Sequence, residues 1–331
     1  MRIRYMLAAA LVAQILVAGC RVSMPTPAQT VTSAPPTPTA PLPPLSGSGG
    51  GKIVFSSRRG QGDYAVYVMN ADGTDKRRLT RNRFEDEETA WSADGAKIAF
   101  NIDTYSGSCD IYVMNADGSD LRQLTTDGNS GSPAWSPDGR RIAFSRHNSD
   151  RSSELYVMNH DGSNSQQLTV TGAERVYSPA WSPDGTQMAC VLSTSAEPLE
   201  EESTICVFDV EEALRKGGAG VADLRELPRP GEDVNDRPAW SPDGARIVFS
   251  ALVEGHRDLY VVQADGTRLE QLTYTPEHDE FAPVWSPDGT KIAFQANPHA
   301  HWDIYVMRVD GTGLERLTTD VANDTSPDWV R

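Results

Sequence analysis

Three histidines toward the C-terminal end are the side chains best suited to bind a metal. His299 and His301 lie two residues apart in one loop, and His278 lies in an earlier loop. Imidazole is the commonest metal ligand among protein side chains. The pattern therefore predicts a candidate metal site, with surface histidines as the alternative interpretation.

Acidic and amide side chains form a second candidate site. They stand five positions before a tryptophan that recurs through the chain, and they are Asp86, Asn235, Glu280 and Asp324. If these positions ring the mouth of a channel, they form an electronegative funnel that suits a divalent cation or a basic peptide. The alternative is that they are solvated loop carboxylates of an acidic protein.

Other features argue against common catalytic classes. The sequence has no G-x-S-x-G element and no Cys-His pairing, so we predict no catalytic nucleophile. Lys and Arg number 30 against 46 Asp and Glu, and the net charge of −16 excludes nucleic acid as a partner because phosphates would be repelled. The acidic segment from Asn70 to Asp75 is interpreted as a hairpin turn, since Arg268 replaces its last residue in another repeat.

Two cysteines replace a pair of aromatic residues together. Cys190 stands where other repeats have Phe, and Cys206 where they have Tyr, on strands expected to be adjacent. We predict a disulfide between them in an oxidising compartment, with two buried free thiols as the alternative. Cys109 is expected in a loop, as a free or intermolecular thiol.

The N-terminus is typical of an exported, lipid-anchored protein. Arg2 and Arg4 precede a short apolar run, and Val17-Ala18-Gly19-Cys20 resembles the bacterial lipobox. We predict a signal peptide over residues 1–20 and lipidation of Cys20. The alternative is ordinary secretion, with cleavage elsewhere and a chance cysteine at this position. Residues 21–51 are rich in Pro, Thr, Ser and Gly and are expected to be a disordered stalk, or a leftover without a spacer role.

A repeat organises the rest of the chain, residues 52–331. The recurring tryptophans, spaced by 44 to 59 residues, are Trp91, Trp135, Trp181, Trp240, Trp285 and Trp329. Most are followed by Ser-Pro-Asp-Gly, where Pro and Gly favour a tight turn.

Each repeat predicts four antiparallel strands whose two faces are both apolar. Such sheets hide both faces by stacking as blades around an axis. We therefore predict an all-β, six-bladed propeller of four-stranded antiparallel blades. The segment from Lys52 to Phe55 and the segment from Ser326 to Trp329 are expected to share one blade and so close the ring.

The units of the form P-x-W-S-P-D-G-x-x-I-A-F, followed by I-Y and L-T strands, resemble those of the TolB-type, WD-repeat-like β-propeller family over residues 52–331. The α/β domain that precedes the propeller in TolB is missing, so the resemblance implies only a partner-binding surface. Oligogalacturonate lyases share related repeats, and that likeness implies histidines and a metal in the channel.

These observations predict a monomeric, extracytoplasmic protein held to a bacterial membrane by its lipid. It is expected to bind a protein, peptide or glycan through the loops that differ between repeats or through the channel mouth. No cofactor is expected beyond a divalent cation at that mouth. The alternatives are a metal-assisted, lyase-like carbohydrate-active enzyme using His278, His299 and His301, or a purely structural envelope protein.

Overall fold

The computed structural model describes residues 50–59, 62–104, 106–172, 174–194, 202–231 and 237–330. Regular structure in these ranges is almost entirely β-strand, grouped into four-stranded antiparallel units that we number as sheets 1 to 6. Sheet 1 contains β24 (Asp324–Val330), β1 (Lys52–Ser57), β2 (Ala65–Asn70) and β3 (Arg77–Arg78). Sheet 2 contains β4 (Glu85–Trp91), β5 (Lys97–Asp103), β6 (Cys109–Asn115) and β7 (Arg122–Gln123).

The next sheets follow the same order. Sheet 3 contains β8 (Ser130–Trp135), β9 (Arg141–His147), β10 (Ser153–Asn159) and β11 (Gln166–Gln167). Sheet 4 contains β12 (Arg175–Trp181), β13 (Gln187–Ser193), β14 (Ser203–Asp209) and β15 (Arg225–Glu226). Sheets 3 and 4 are joined by one parallel bridge, between Ser153 and Arg175.

The C-terminal half completes the set. Sheet 5 contains β16 (Ala239–Trp240), β17 (Arg246–Val253), β18 (His256–Gln263) and β19 (Glu270–Gln271). Sheet 6 contains β20 (Glu280–Trp285), β21 (Lys291–Ala296), β22 (Asp303–Arg308) and β23 (Glu315–Arg316). The fourth strand of each unit is only two residues long, so the outer edge that each sheet offers for further pairing is short.

The Ser-Pro-Asp-Gly turns fold locally, as the sequence predicts. In sheet 3, the Ser136 hydroxyl donates to Asp138 at 2.6 Å, and the same aspartate accepts the backbone N–H of Arg140 at 3.0 Å. Gly139 closes the turn with φ of +69°, a conformation that costs glycine little. These bonds hold the pKa of Asp138 below its usual value, because each of them stabilises the ionised carboxylate.

The prediction of two apolar faces per sheet is confirmed by how the core divides. One buried cluster joins Val54 of sheet 1 to Trp91 of sheet 2, and the next joins Ala90 of sheet 2 to Trp135 of sheet 3. Corresponding clusters join each later sheet to its successor, and the last joins sheet 6 to sheet 1 through Ala293 and Trp329. Each sheet is therefore packed on both sides.

The two ends of the described chain meet in sheet 1. Strand β1 pairs antiparallel with β24 on one side and with β2 on the other, and Ile53 lies opposite both Trp329 and Met69. Strand β24 in turn packs against β4 of sheet 2 and β20 of sheet 6.

The first strand of each repeat carries a β-bulge, except in sheet 5, where less of that strand is described. A residue with positive φ marks each bulge: Glu88, Ser132, Ser178, Ala282 and Ser326. None of them is glycine, so the surrounding ladder must hold the backbone in this conformation.

Sheet 4 carries an insertion between its third and fourth strands. The insertion begins with helix α1 (Val210–Lys216), whose Asp209 cap accepts the N–H of Glu212 at 2.7 Å and which ends at Gly217 with φ of +79°. Within the described ranges, no helix has the length and apolar character needed to cross a membrane.

Candidate functional site

The antiparallel order of strands separates two kinds of connection onto two faces. The turns between first and second strands and those between third and fourth strands lie together, on what we call the turn face. The loops between second and third strands, and those that lead to the next sheet, lie on the opposite, variable-loop face. Apart from the insertion in sheet 4, the turn face repeats nearly the same residues, whereas the variable-loop face differs in every repeat.

The structure departs from the expectation of an acidic funnel. Asp86 and Asp324 are 0% exposed and Glu280 is 2% exposed. They lie between sheets rather than on an open mouth, and none of the three lines the central cavity described below. Asn235, the fourth member of the predicted set, lies outside the described residues.

The bulge explains why these carboxylates turn inward. In sheet 2, Asp86 lies opposite Ile102 while Trp91 lies opposite Ile98, so both face the same side of the sheet. Five residues of regular strand would have put them on opposite sides, because side chains alternate. The extra residue at Glu88 shifts this alternation by one position.

Burial has a large effect on the acidity of these groups. It raises the pKa of Asp86 to about 7, although the Asn82 amide donates to its carboxylate at 2.7 Å. It also raises the pKa of Glu280 to about 7, against the bond donated by Thr273. Burial raises the pKa of Asp324 as well, and there Arg59 opposes the shift by pairing with the carboxylate.

A second set of acidic residues, which sequence reasoning missed, anchors the inter-sheet loops. In sheet 2, Asp110 accepts the Thr125 hydroxyl at 2.9 Å and the N–H of Gly128 at 3.1 Å. Thr125 itself accepts the N–H of Ile111 at 2.9 Å. The equivalent acid–threonine pairs are Glu154 with Thr169 and Asp303 with Thr318. Two features of the sequence could have indicated these pairs: an acidic residue directly before each Ile-Tyr or Leu-Tyr, and the threonine of each Leu-Thr.

The three candidate histidines are brought near one another, and two of them, His301 and His278, contact charged groups. The rings of His299 and His301 lie 6.3 Å apart between centroids. His301 Nε2 lies 3.1 Å from the Arg316 guanidinium and 3.3 Å from Asp303. His278 Nε2 lies 3.9 Å from Glu280, and burial lowers the pKa of this histidine. Among the described residues, no three side chains form a group that could hold a metal ion.

A central cavity of about 220 Å³ is lined by the segment before the tryptophan in every repeat. Most of its lining residues are Pro, Ala and Trp, and its charged residues are Arg237 and Asp328. Asp328 accepts the N–H of Trp91 from the neighbouring sheet at 2.5 Å. Burial raises the pKa of Asp328, while Arg237 acts to lower it. The cavity is therefore small, and Arg237 and Asp328 are the two charged residues that line it.

The tryptophans link successive sheets around this cavity. The indole N–H of Trp181 donates to Ala134 O at 3.2 Å, one sheet back along the chain. Trp240 and Trp285 repeat the contact with the preceding sheet at 3.2 and 3.1 Å. Trp329 differs, because its indole N–H donates to Gly50 O at 2.9 Å.

The cysteines lie where the repeat predicted them. Cys190 and Cys206 are direct partners on β13 and β14, and both are buried. The structure holds them as free thiols, the alternative considered above, so the disulfide stays a prediction. Burial raises the pKa of both thiols, to about 12 for Cys206. The loop position expected for Cys109 is wrong, since it begins β6 at 0% exposure and its thiol contacts Ser130 O at 3.3 Å.

The variable-loop face carries exposed apolar side chains. Tyr274 is 80% exposed and Val321 is 91% exposed, and they lie on the successive loops that enter and leave sheet 6. Val170 lies on the equivalent loop after sheet 3 and is also exposed. The predicted signal peptide, the predicted lipidation site Cys20 and nearly all of the expected stalk lie outside the described residues.

Four-stranded antiparallel sheets, each packed on both faces against its neighbours around a shared cavity, define a β-propeller protein. The model of the TolB beta propeller domain family matches residues 23–152 and 141–280. The chain belongs to this family.

Solved structures share this fold. TolB from Acinetobacter baumannii is 20% identical with a TM-score of 0.67, and the match covers 85% of this chain but 66% of that protein. The putative TolB from Agrobacterium tumefaciens is 20% identical with a TM-score of 0.63, covering 82% and 90% of the two chains. An oligogalacturonate lyase in complex with manganese is 14% identical with a TM-score of 0.52, covering 81% and 74%. Among curated proteins, no sequence matches this chain.

Proposed function

We propose that this protein is a six-bladed, lipid-anchored propeller of the bacterial cell envelope that binds a protein, peptide or glycan through its variable-loop face. In this proposal the six sheets are six blades, and sheet 1 closes the ring with strands from both ends of the propeller. The cyclic order of the buried clusters, from sheet 1 through sheet 6 and back, supports the ring. So does the bond from the Thr89 hydroxyl to Ser326 O at 2.9 Å, between sheets 2 and 1.

The observation that carries the binding role is the exposure of Tyr274 and Val321 on one face. Large apolar side chains on variable loops, held by a rigid scaffold, are typical of interaction surfaces. Tyrosine adds a hydroxyl that suits either a peptide backbone or a sugar, and it is enriched at interfaces. Among the described residues, the turn face exposes two large apolar side chains, Val221 and Leu314, against three on the variable-loop face.

Site-specific photo-crosslinking in intact cells tests this role. A photoreactive residue at position 274 or 321 should give a discrete adduct, while the same residue at position 314 provides a matched control. Leu314 is also exposed, at 59%, but lies beside a turn on the opposite face. Adducts at position 314 alone, or at none of the three positions, would contradict binding through the variable-loop face.

The anchor has its own test. Cys20→Ala removes the thiol that would carry the lipid, so the protein should leave the membrane fraction and appear in the soluble extract. A Cys109→Ala variant is the control, because Cys109 is buried within the propeller. Continued membrane association of the Cys20→Ala protein would refute the lipid anchor.

A metal-assisted carbohydrate-active enzyme is the second candidate. The closeness of His299 to His301 favours it, as does the fold shared with a lyase in complex with manganese. Titration with Mn²⁺ followed by metal analysis would support this function if one equivalent is retained and is lost in His299→Ala. Equal retention by the wild type and that variant would exclude this site.

A further inference from the structure

A groove of about 480 Å³ opens on the turn face between sheets 6 and 1. Its walls include Gly50, Ala71, Pro287, Asp288 and Trp329. We call it the entry groove, because the described chain begins there at Gly50. Its volume falls within the usual range for a binding pocket.

The entry groove exists because one turn of the repeat is missing. Elsewhere on this face, the turn proline of one sheet packs over the turn glycine of the next. Pro137 Cγ lies 3.3 Å from where a Cβ on Gly185 would stand, and Pro183 and Gly244 repeat the contact at 3.7 Å. Sheet 1 takes its first two strands from opposite ends of the propeller, so no such turn joins β24 to β1. Pro287 of sheet 6 therefore lines an open groove.

Another position in the repeat shows that this proline contact is specific. Sheet 2 has Ala93 in place of the turn proline, and a Cβ on Gly139 of the next sheet would meet nothing within 4 Å. The space above a turn is thus filled by the proline of the preceding turn where there is one. At the entry groove the situation is reversed, because the proline is present and its partner is absent.

Trp329 is turned toward the N-terminal segment. By the pattern of sheets 4, 5 and 6, its indole N–H would donate to Val284 O of sheet 6. It donates instead to Gly50 O at 2.9 Å. Gly50, near the end of the stalk, thus accepts the hydrogen bond that joins two sheets at Trp181, Trp240 and Trp285.

We propose that the chain's own segment of residues 41–45, Pro-Leu-Pro-Pro-Leu, docks in the entry groove. Proline-rich segments bind grooves lined by aromatic residues, because their extended form loses little entropy. Residues 46–49 are Ser-Gly-Ser-Gly, which let the backbone turn back sharply between the segment and Gly50. Five residues in that extended form span ~15 Å, a length suited to the space between two neighbouring sheets.

Charge favours this occupant over a second copy of the protein. Asp72, Asp288 and Glu315 surround the groove, with Lys291 as its one cation among the lining residues. The segment 41–45 carries no charge, whereas another copy brings a net charge of −16 to an already acidic rim. Docking fixes the tether to the turn face and directs the variable-loop face away from the anchor. That consequence rests on the proposed function, but the docking itself does not.

Hydrogen exchange on the full-length chain tests the docking. One variant replaces residues 41–45 with Gly-Ser-Gly-Ser-Gly. The matched control replaces residues 35–39, Pro-Pro-Thr-Pro-Thr, which also contain three prolines but lie farther from the groove. Neither change touches the propeller, so the fold is kept. The amides to follow are those around Ala71, Asp288 and Trp329.

If residues 41–45 dock, the first variant should exchange about tenfold faster around the groove, equivalent to ~1.4 kcal/mol of docking free energy, and the control should match the wild type. Equal exchange in all three proteins would overturn the proposal. Protection that disappears on dilution in all three would assign the groove to a second copy and would equally overturn it. Failure of crosslinking at positions 274 and 321 would leave this result unaffected.

Discussion

Replacing Glu280 by glutamine should make the protein more stable at alkaline pH and leave it unchanged in acid. Glu280 is 2% exposed, and burial raises its pKa to about 7 from an ordinary value of 4.5. Between these values the folded protein binds more protons than the unfolded chain. Stability therefore falls as pH rises from about 4.5 to about 7, and the loss is complete above that range.

The expected size follows from the same two values. At ~1.4 kcal/mol for each tenfold change in proton affinity, the gap between 4.5 and about 7 corresponds to about 3 kcal/mol. Glutamine has the same shape, cannot ionise, and can still accept the Thr273 hydroxyl. Glu280→Gln should therefore gain about 3 kcal/mol in the free energy of unfolding at pH 8.5 and close to nothing at pH 4.

Urea denaturation at pH 4, 6 and 8.5 measures this difference. Glu270→Gln is the matched control, since Glu270 is an exposed carboxylate of the neighbouring sheet and should show little change at any pH. His278 is a second titratable group, 3.9 Å from Glu280, so the proteins with Glu280 and with Glu280→Gln are also compared in a His278→Gln background. An equal effect of Glu280→Gln at all three pH values, or a loss of stability at pH 8.5, would refute the reasoning.

Three further outcomes are expected. Trp285→Phe should lower the free energy of unfolding by about 1 kcal/mol more than Trp91→Phe in urea denaturation, because the Trp285 indole N–H donates to a carbonyl and the buried Trp91 indole N–H has no direct partner among the described residues. Equal losses would contradict the inter-sheet bond. Thr125→Val should lower the free energy of unfolding by about 2 to 3 kcal/mol, since the buried N–H of Ile111 and the buried carboxylate of Asp110 both lose the hydroxyl that they share. A change below about 0.5 kcal/mol would mean that water replaces this hydroxyl. Cys190 and Cys206 are direct cross-strand partners on β13 and β14, so protein exported through an oxidising compartment should carry a disulfide between them. Its intact mass should then increase by two hydrogens on reduction, and an unchanged mass would show that both residues are thiols.

The architecture could be predicted from the sequence because the same pattern of turns and strands recurs along the chain. The Ser-Pro-Asp-Gly turns, the I-Y strands and the recurring tryptophans each carry a local physical cause, and the structure places them as predicted. Strand limits were less accurate. The fourth strands are shorter than the L-T pattern suggested, because the threonine leaves the ladder to bond back to the third strand, as Thr169 does to the N–H of Leu155 at 2.9 Å.

The candidate acidic site could not be predicted, because a single backbone feature decides it. The bulge at Glu88, Ala282 or Ser326 shifts the alternation of side chains, so residues expected at a channel mouth face the space between sheets. No glycine stands at this bulge. A proline follows it in most repeats, as Pro283 follows Ala282 and Pro327 follows Ser326, but proline is tolerated on edge strands as well as at bulges, so it does not decide between the two. Burial of the carboxylates, and with it their raised pKa values, follows from that one irregularity.

The position of β1 has a mechanical consequence. This strand is hydrogen-bonded on both sides, to β24 and to β2, and the chain enters it directly from Gly50 and Gly51, the end of the expected stalk. If the proposed lipid anchor holds the N-terminal end, a force pulling the propeller away from the membrane would act along the strand and load both ladders in shear at once. Peeling one edge rung by rung is not available to such a pull, so the strand that bears the load is the one least able to unzip.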